Sequence, residues 1–476
     1  MLWICLHFPD LCLQIFQRAA PRGLAVASRG RRAEVLACDA AAERLGIRPG
    51  MKLSAAQALS AQVHFCERDE GAETAAIAAI ALWAGQFTPN VSLAPPAEVL
   101  LEIGGSLKLF GGMEPLLARI QAEITQLGYD PVIASAPTPG AAQLLARAGM
   151  KLNLTAPEQI ERHLAPLSLS VLNQTPAVLS ALAEIGVRTL GECLRLPRAG
   201  LARRYGQALI DELDRALAKL PDPRPPFIAP ALYRNRLELS FPVADVEPLV
   251  FAAKRLVLEL AGFLRGRVAG VAQFRLQLIH DASPPTQVVI NLSLPSRDAE
   301  QMFCLLRERL SRVALPERVE ALELCAGEML PLASRDLSFL PDRKAETRAA
   351  LVERLRARLG DDAVFELSLT SDYRPECAWH KRGGALAANA ESHERQGLRP
   401  LWLLLEPLPL EPPGKTPWLR GPLTLCRGPE RIESGWWDGN GVCRDYFLAR
   451  SLEGASFWIF RERGRRRRWF VHGIFA

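Results

Sequence analysis

The hydropathy of this chain changes period in the same order twice, and that order limits the folds open to it. Residues 236–241 alternate as a strand, 247–265 are helical, 270–280 and 287–294 alternate again, 298–313 are helical and 318–326 form a last strand. Earlier, an opening strand at 1–8, a helix over 72–87 with no glycine before Gly85, a strand at 99–103, a helix at 114–126 and a strand at 131–135 supply five of the six elements of that strand-helix-strand-strand-helix-strand order. Residues 164–220 between them are helical and punctuated. Pro221-Asp222-Pro223-Arg224-Pro225-Pro226 reads as an extended, semi-rigid linker.

Composition narrows the class. The 476 residues suffice for three or more domains, and 49% hydrophobic with 23% charged residues is ordinary globular usage. The apolar opening MLWICLHF lacks a basic flank and stops at Pro9-Asp10, so it reads as a buried strand rather than an export signal. No membrane segment is expected. Ten cysteines without close pairing argue against structural zinc and disulfides and for reduced thiols in a cytoplasmic protein. The 7 histidines are dispersed, so no metal site is expected, and a net charge of +6 is compatible with nucleic acid. Gly104-Gly105 and Gly111-Gly112 read as turn glycines rather than a phosphate cradle.

Residues 94–112, APPAEVLLEIGGSLKLFGG, carry the most chemical information. They resemble the metal-binding strand of the Y-family translesion DNA polymerases, roughly S-x-D-E-A-Y-L-D-V, with the first acid missing. Matching Leu101-Glu102-Ile103 to L-D-V sets Ala97 and Glu98 on the Asp-Glu pair that helps hold two Mg²⁺ ions. Family members open h-h-H-h-D-x-D, whereas this chain opens Leu2-Trp3-Ile4-Cys5-Leu6-His7-Phe8-Pro9, so His7 or Pro9 stands where an Asp is required. Of the three carboxylates only Glu98 remains.

The resemblance runs to about residue 330 and is closest to degenerate, polymerase-like proteins of bacterial damage-induced mutagenesis cassettes. It implies an α+β multidomain fold: a ferredoxin-like palm (1–21 and 67–163), fingers (22–66), a helical thumb (164–220), a linker (221–235) and a βαββαβ little finger (236–332). A helix and flexible linker (333–397) and a small β-rich C-terminal module (398–476) would follow. In the fingers, alignment on Leu45-Gly46-Ile47 turns the family's triphosphate-gripping Tyr and Arg into Ala40 and Glu43, and in x-K-F-L-A-K the first Lys becomes Gln143. Arg44, Arg147 and Lys151 remain as cations for phosphate. In the thumb, Asn173-Gln174-Thr175 replaces the G-V-G whose amides bind DNA phosphate, and helix capping is the simpler role for Gly186 and Thr189.

In the little finger, Arg265, Arg267 and Arg275 are the candidate DNA contacts, with Arg267 and Arg275 read on a sheet face; the bland reading is that such charges solvate helices and edges. Leu398, Pro400, Leu401 and Trp402 resemble the sliding-clamp ligand Q-L-x-L-F, with Leu398 in place of Gln; an ordinary strand is the competing reading. Trp436, Trp437, Trp458 and Trp469 are candidate partner-docking residues, although core packing accounts for most aromatics in so small a module. The run Arg461 to Arg468 holds six Arg and one Glu and reads as a hairpin tip that grips nucleic acid, docks an acidic partner or is merely solvated. Only Trp469-Phe470 adjoins it in sequence, which favours protein docking.

The resemblance implies a non-catalytic scaffold in translesion DNA synthesis without a cofactor. Its partners would be DNA, the sliding clamp, an error-prone C-family DNA polymerase and a RecA-like accessory protein. The alternative is an active, divergent Y-family polymerase with Mg²⁺ on Glu98, Glu102 and Asp10.

Overall fold

In a computed structural model of the chain, which describes residues 1–16, 23–30, 32–332, 343–360, 363–382, 398–410, 416–464 and 467–475, the opening strand is Trp3–His7. It lies inside a four-stranded antiparallel sheet ordered Val91–Ala94, Glu98–Glu102, Trp3–His7, Val132–Ala136. Strand side chains alternate faces. Ile4, Leu6, Val99 and Leu101 therefore pack on helices Glu70–Ala84 and Met113–Gln126, while Trp3, Cys5 and Leu100 pack under helix Pro139–Arg147 and the helices after it. Asp69 accepts a hydrogen bond from the Ala72 amide (2.9 Å) to start the first of these helices, and Thr138 accepts one from Ala141 (3.2 Å) ahead of Pro139.

The fingers are a three-stranded sheet, Val35–Cys38, Leu24–Ala27, His64–Glu67, with helices Ala40–Arg44 and Leu53–Leu59. The thumb includes helices Pro176–Glu184, Leu190–Arg195, Arg198–Tyr205 and Gln207–Ala216. Thr189 and Glu192 form a reciprocal capping box, and Gly186 has a φ of +85° after the preceding helix, so both residues serve the turn between helices.

The little finger has strands Arg234–Val243, Ala269–His280, Thr286–Ser296 and Val319–Ala326, with helices Val246–Gly266 and Ala299–Leu310. It shares its element order with the palm but not its strand order. The inner strands of the palm are its first and third, those of the little finger its second and fourth. Helix Val246–Gly266 crosses palm helix Glu70–Ala84 through glycines: a Cβ on Gly262 would stand 2.6 Å from Trp83 Cδ1, and one on Gly266 would stand 2.9 Å from the Gly85 carbonyl. Beside this crossing Arg255 pairs with Glu259 (2.6 Å) and reaches the hydroxyl of Tyr129. The linker is tied to the palm's edge strand by Phe227 N–H to Val91 O (2.7 Å) and Ser92 Oγ to Pro225 O (2.8 Å).

Compact units span 1–358 and 359–476. Helix Arg343–Leu359, expected to belong to a linker region, instead closes the little finger. Its Glu353 accepts from the edge-strand amide of Ser293 (2.6 Å) and from Gln301 (2.8 Å), and Ala357 joins the core. In the second unit, Glu366–Leu369 pairs with Trp379–Arg382, which corrects the expectation of a flexible run there; residues 383–397 lie outside the described residues. A five-stranded antiparallel sheet follows, ordered Trp402–Pro409, Trp469–Ile474, Ser456–Glu462, Val442–Arg450, Thr424–Ser434. Among the described residues no helix is long and apolar enough to cross a membrane.

Candidate functional site

The register of the two central palm strands sets His7 opposite Glu98. Glu98 is 2% exposed, yet both of its oxygens have partners. Arg147 Nε donates to Oε1 (2.5 Å) and Nη2 to Oε2 (2.8 Å), while Gln143 Nε2 donates to Oε2 (2.7 Å). His7 Nδ1 stands 3.2 Å from Oε1 but is not aligned for a hydrogen bond. Burial, the largest influence, works to raise the carboxyl pKa. The contacts from His7, Arg147 and Gln143 outweigh it together and hold the group at about 2. Arg147 and Gln143 sit one helical turn apart on Pro139–Arg147, so one helix face delivers both donors.

The other acids do not converge on this point. Glu102 lies four residues along the same strand, opposite Trp3, which puts it about 13 Å away. Its Oε1 accepts from the Gly104 amide (3.0 Å). Asp10 precedes the short helix Leu11–Gln14 and is exposed. Ala97 is half-buried against the palm core. Among the described residues no three His, Cys, Asp or Glu side chains gather as a metal-holding group. In the fingers, Glu43 is exposed and Arg44 Nε donates back to Ala40 O (3.0 Å) within its own helix.

In the thumb hairpin a second carboxylate, Glu212, is likewise held by two donors. The Asn173 amide donates to Glu212 Oε1 (2.7 Å) and the Gln174 side chain to Glu212 Oε2 (2.6 Å). The Glu212 carboxylate thus covers the amide of Asn173, the first of the three residues read from sequence as replacing G-V-G. Next to it, a cavity of about 500 Å³ is lined by Gln143, Arg147, Asn173, Glu212, Asp222 and Arg224, among others. Arg224 is paired with Asp222 (2.7 Å).

Of the three little-finger arginines, only Arg275 stands exposed on a strand. Arg265 donates to Gln86 Oε1 (3.1 Å) and lies 3.6 Å from Glu123, both in the palm. Arg267 is not on the sheet face. It sits in the turn before Ala269–His280 and donates to the carbonyls of Ala229 (3.1 Å) and Pro230 (2.6 Å). Strand pairing sets Cys325 between Arg275 and Arg234, and Glu323 opposite Arg236, so Arg234 and Arg236 share the face of Arg275. The strand alternation beginning at 234 would have pointed to them.

The tail residues divide. Trp458 and Trp469, 3% and 5% exposed, belong to the core of the second unit, which corrects their reading as docking residues. Trp436 and Trp437 are exposed. Leu398 is exposed, and Leu401 (77%) and Trp402 (71%) remain exposed where the edge strand Trp402–Pro409 begins. The segment is nevertheless part of the sheet. Trp402 pairs with Ile474, Pro400 packs on Gly473, and Arg399 holds Glu430 (2.5 Å). Sequence gave no hint of Arg374, a buried side chain that binds Asp372 (2.7 Å) and Asp438 (2.6 Å) and lies over the Trp437 ring.

Residues 14–147 match the family described as impB/mucB/samB. Over 460 residues, 91% of this chain and 100% of the relative, the sequence is 28% identical to Protein ImuB of Caulobacter vibrioides, in two strains. Among solved structures, DinB from Sulfolobus solfataricus is similar at 16% identity and a TM-score of 0.39, over 70% of this chain and 100% of that one. An insertion ternary complex of Dbh DNA polymerase has the same identity, TM-score and coverage.

Proposed function

We propose that this chain, similar to ImuB along nearly its whole length and carrying a Y-family domain, is a non-catalytic scaffold for translesion DNA synthesis. It sits on damaged DNA and gathers the sliding clamp, an error-prone C-family DNA polymerase and a RecA-like accessory protein. The observation that carries this reading is the closed shell around Glu98. Mg²⁺ needs several hard oxygen ligands in near-octahedral geometry, and a two-metal site needs carboxylates that bridge ions about 4 Å apart. Here the one carboxylate at that position is chelated by an arginine fork, and the next acid on its strand is about 13 Å off. The donor set does not fit the metal pair, so no nucleotidyl-transfer step is assigned to this chain.

DNA affinity in this reading comes from Arg234, Arg236 and Arg275 on the little-finger sheet, as phosphate contacts without sequence readout. Leu401 and Trp402 offer the clamp two apolar anchors on an ordered edge. The test is primer extension with Mg²⁺ and with Mn²⁺. No extension by the wild type or by Ala97→Asp is expected. Template-dependent incorporation that disappears in Glu98→Ala would establish the alternative, an active divergent polymerase.

A further inference from the structure

Sequence separates the exposed tryptophan pair from the arginine run by more than twenty residues, but the sheet of the second unit brings them to one end. Ser434 pairs with Val442, closing the turn that carries Trp436 and Trp437. Arg444, two residues further, pairs with Glu462, beyond which the hairpin between Ser456–Glu462 and Trp469–Ile474 turns back. The two turns are joined directly. The Arg463 amide donates to Cys443 O (3.1 Å), and its guanidinium donates to Glu433 Oε1 (2.6 Å). Their centres are about two strand spacings, or 10 Å, apart.

The tryptophan turn has a set shape. Arg374 holds the tryptophan turn from beneath through Asp438 and the Asn440 carbonyl (3.2 Å), and a Cβ on Gly435 would fall 2.5 Å from its Nη1. On this base Trp436 is 83% exposed, its ring at 81° to that of Trp437. One base can stack on Trp436 with Trp437 at its edge. In the second turn Arg467 and Arg468 are exposed, and Glu462 N–H to Arg468 O (3.0 Å) closes the hairpin.

We infer that this end of the C-terminal sheet binds single-stranded DNA, with Trp436 as the stacking platform and Arg467 and Arg468 as the phosphate contacts. An indole with an open face beside exposed cations is the combination that suits a polyanion whose bases have aromatic faces to offer. The choice of DNA over RNA rests on the translesion reading above; the pairing of ring and cation does not.

The experiment is fluorescence anisotropy of a labelled twelve-residue oligo(dT) with the full-length chain across a salt series. Trp436→Ala should weaken binding roughly tenfold or more. Arg467→Glu with Arg468→Glu should make the slope of log K against log salt shallower by about 1.4. Trp436, Arg467 and Arg468 are exposed, and circular dichroism of each variant checks the fold. Undiminished oligo(dT) affinity in both variants overturns the inference, and is the result expected of a protein-docking surface. Loss of oligo(dT) binding only on substitution of Arg234, Arg236 and Arg275 also overturns it, because the strand is then held by the little finger. Primer extension by the wild type would instead overturn the scaffold reading and leave this surface standing.

Discussion

Arg147 meets Glu98 through two parallel hydrogen bonds, Nε to Oε1 and Nη2 to Oε2, in a part of the palm nearly closed to water. A buried ion pair contributes little net stability compared with apolar replacements of similar volume, but removing one partner strands the other as an uncompensated charge. The pair is therefore a sensitive reporter on this site.

Arg147→Met should destabilise the first unit by about 3–5 kcal/mol, and adding Glu98→Leu should recover most of that. Urea unfolding of the two variants and wild type measures both effects. Equal stability of single and double variants would mean that the fork is not the main partner of the carboxylate.

The same carboxyl makes stability depend on pH. Its folded pKa of about 2 lies below the ordinary 4.5, so its contribution is fully present above pH 4.5 and is lost as pH falls from 4.5 through 2. The loss should be about 3 kcal/mol, and largely absent in Glu98→Gln. Denaturant midpoints at pH 5 and pH 2.5 give the comparison.

A second titration belongs to the C-terminal unit. His472 is fully buried, with Nδ1 on the Tyr446 hydroxyl (2.7 Å), and burial lowers its pKa from 6.5 to about 4. A histidine buried neutral supports the fold above pH 6.5 and costs stability as pH falls from 6.5 toward 4. Thermal melts between pH 7 and 4.5 should show this unit weakening, and His472→Gln should flatten the dependence.

Crossing the palm and little-finger helices depends on Gly266. Its missing Cβ would meet the Gly85 backbone at 2.9 Å, and backbone cannot step aside as a side-chain tip can. Gly266→Ala should cost about 1–3 kcal/mol and hasten proteolysis in the linker at 221–235. Unchanged cleavage would show the crossing to be loose.

Clamp binding should be lost in Leu401→Ala with Trp402→Ala. Each anchor is worth about 1.5–3 kcal/mol when buried, so a micromolar complex would weaken by a hundredfold or more. Both side chains are exposed in the free chain, so the variant should melt like wild type. Equal clamp affinity by surface plasmon resonance would move the contact elsewhere.

The βαββαβ order of the little finger was legible because alternation marks its strands, and Leu101-Glu102-Ile103 anchored the match that singled out Glu98; the palm strand Val91–Ala94 was not read, and the register that sets His7 rather than Pro9 opposite Glu98 came only with the structure. The arginine fork was not legible. Arg147 lies 49 residues from Glu98, and read by position along its helix it looked like a phosphate ligand. Arg267 was misplaced by its nearness to a strand start, where the turn makes different demands. Strand Thr424–Ser434 was not delimited from sequence, since its first six residues are exposed and leave no apolar alternation to read. Tryptophan density flagged the module without telling faces apart. Trp458 is stacked on Tyr446 at 4.1 Å in the core, while Trp436 stands in solvent.

One more bond of Arg147 bears on motion. Its Nη1 donates to the Val171 carbonyl (3.1 Å), at the root of the thumb, while the fork grips the palm sheet. A polymerase must let its thumb ride along the duplex as the primer advances by one base pair. In this chain one guanidinium spans that joint, so any movement of the thumb root against the palm sheet must first break the Val171 bond or the fork.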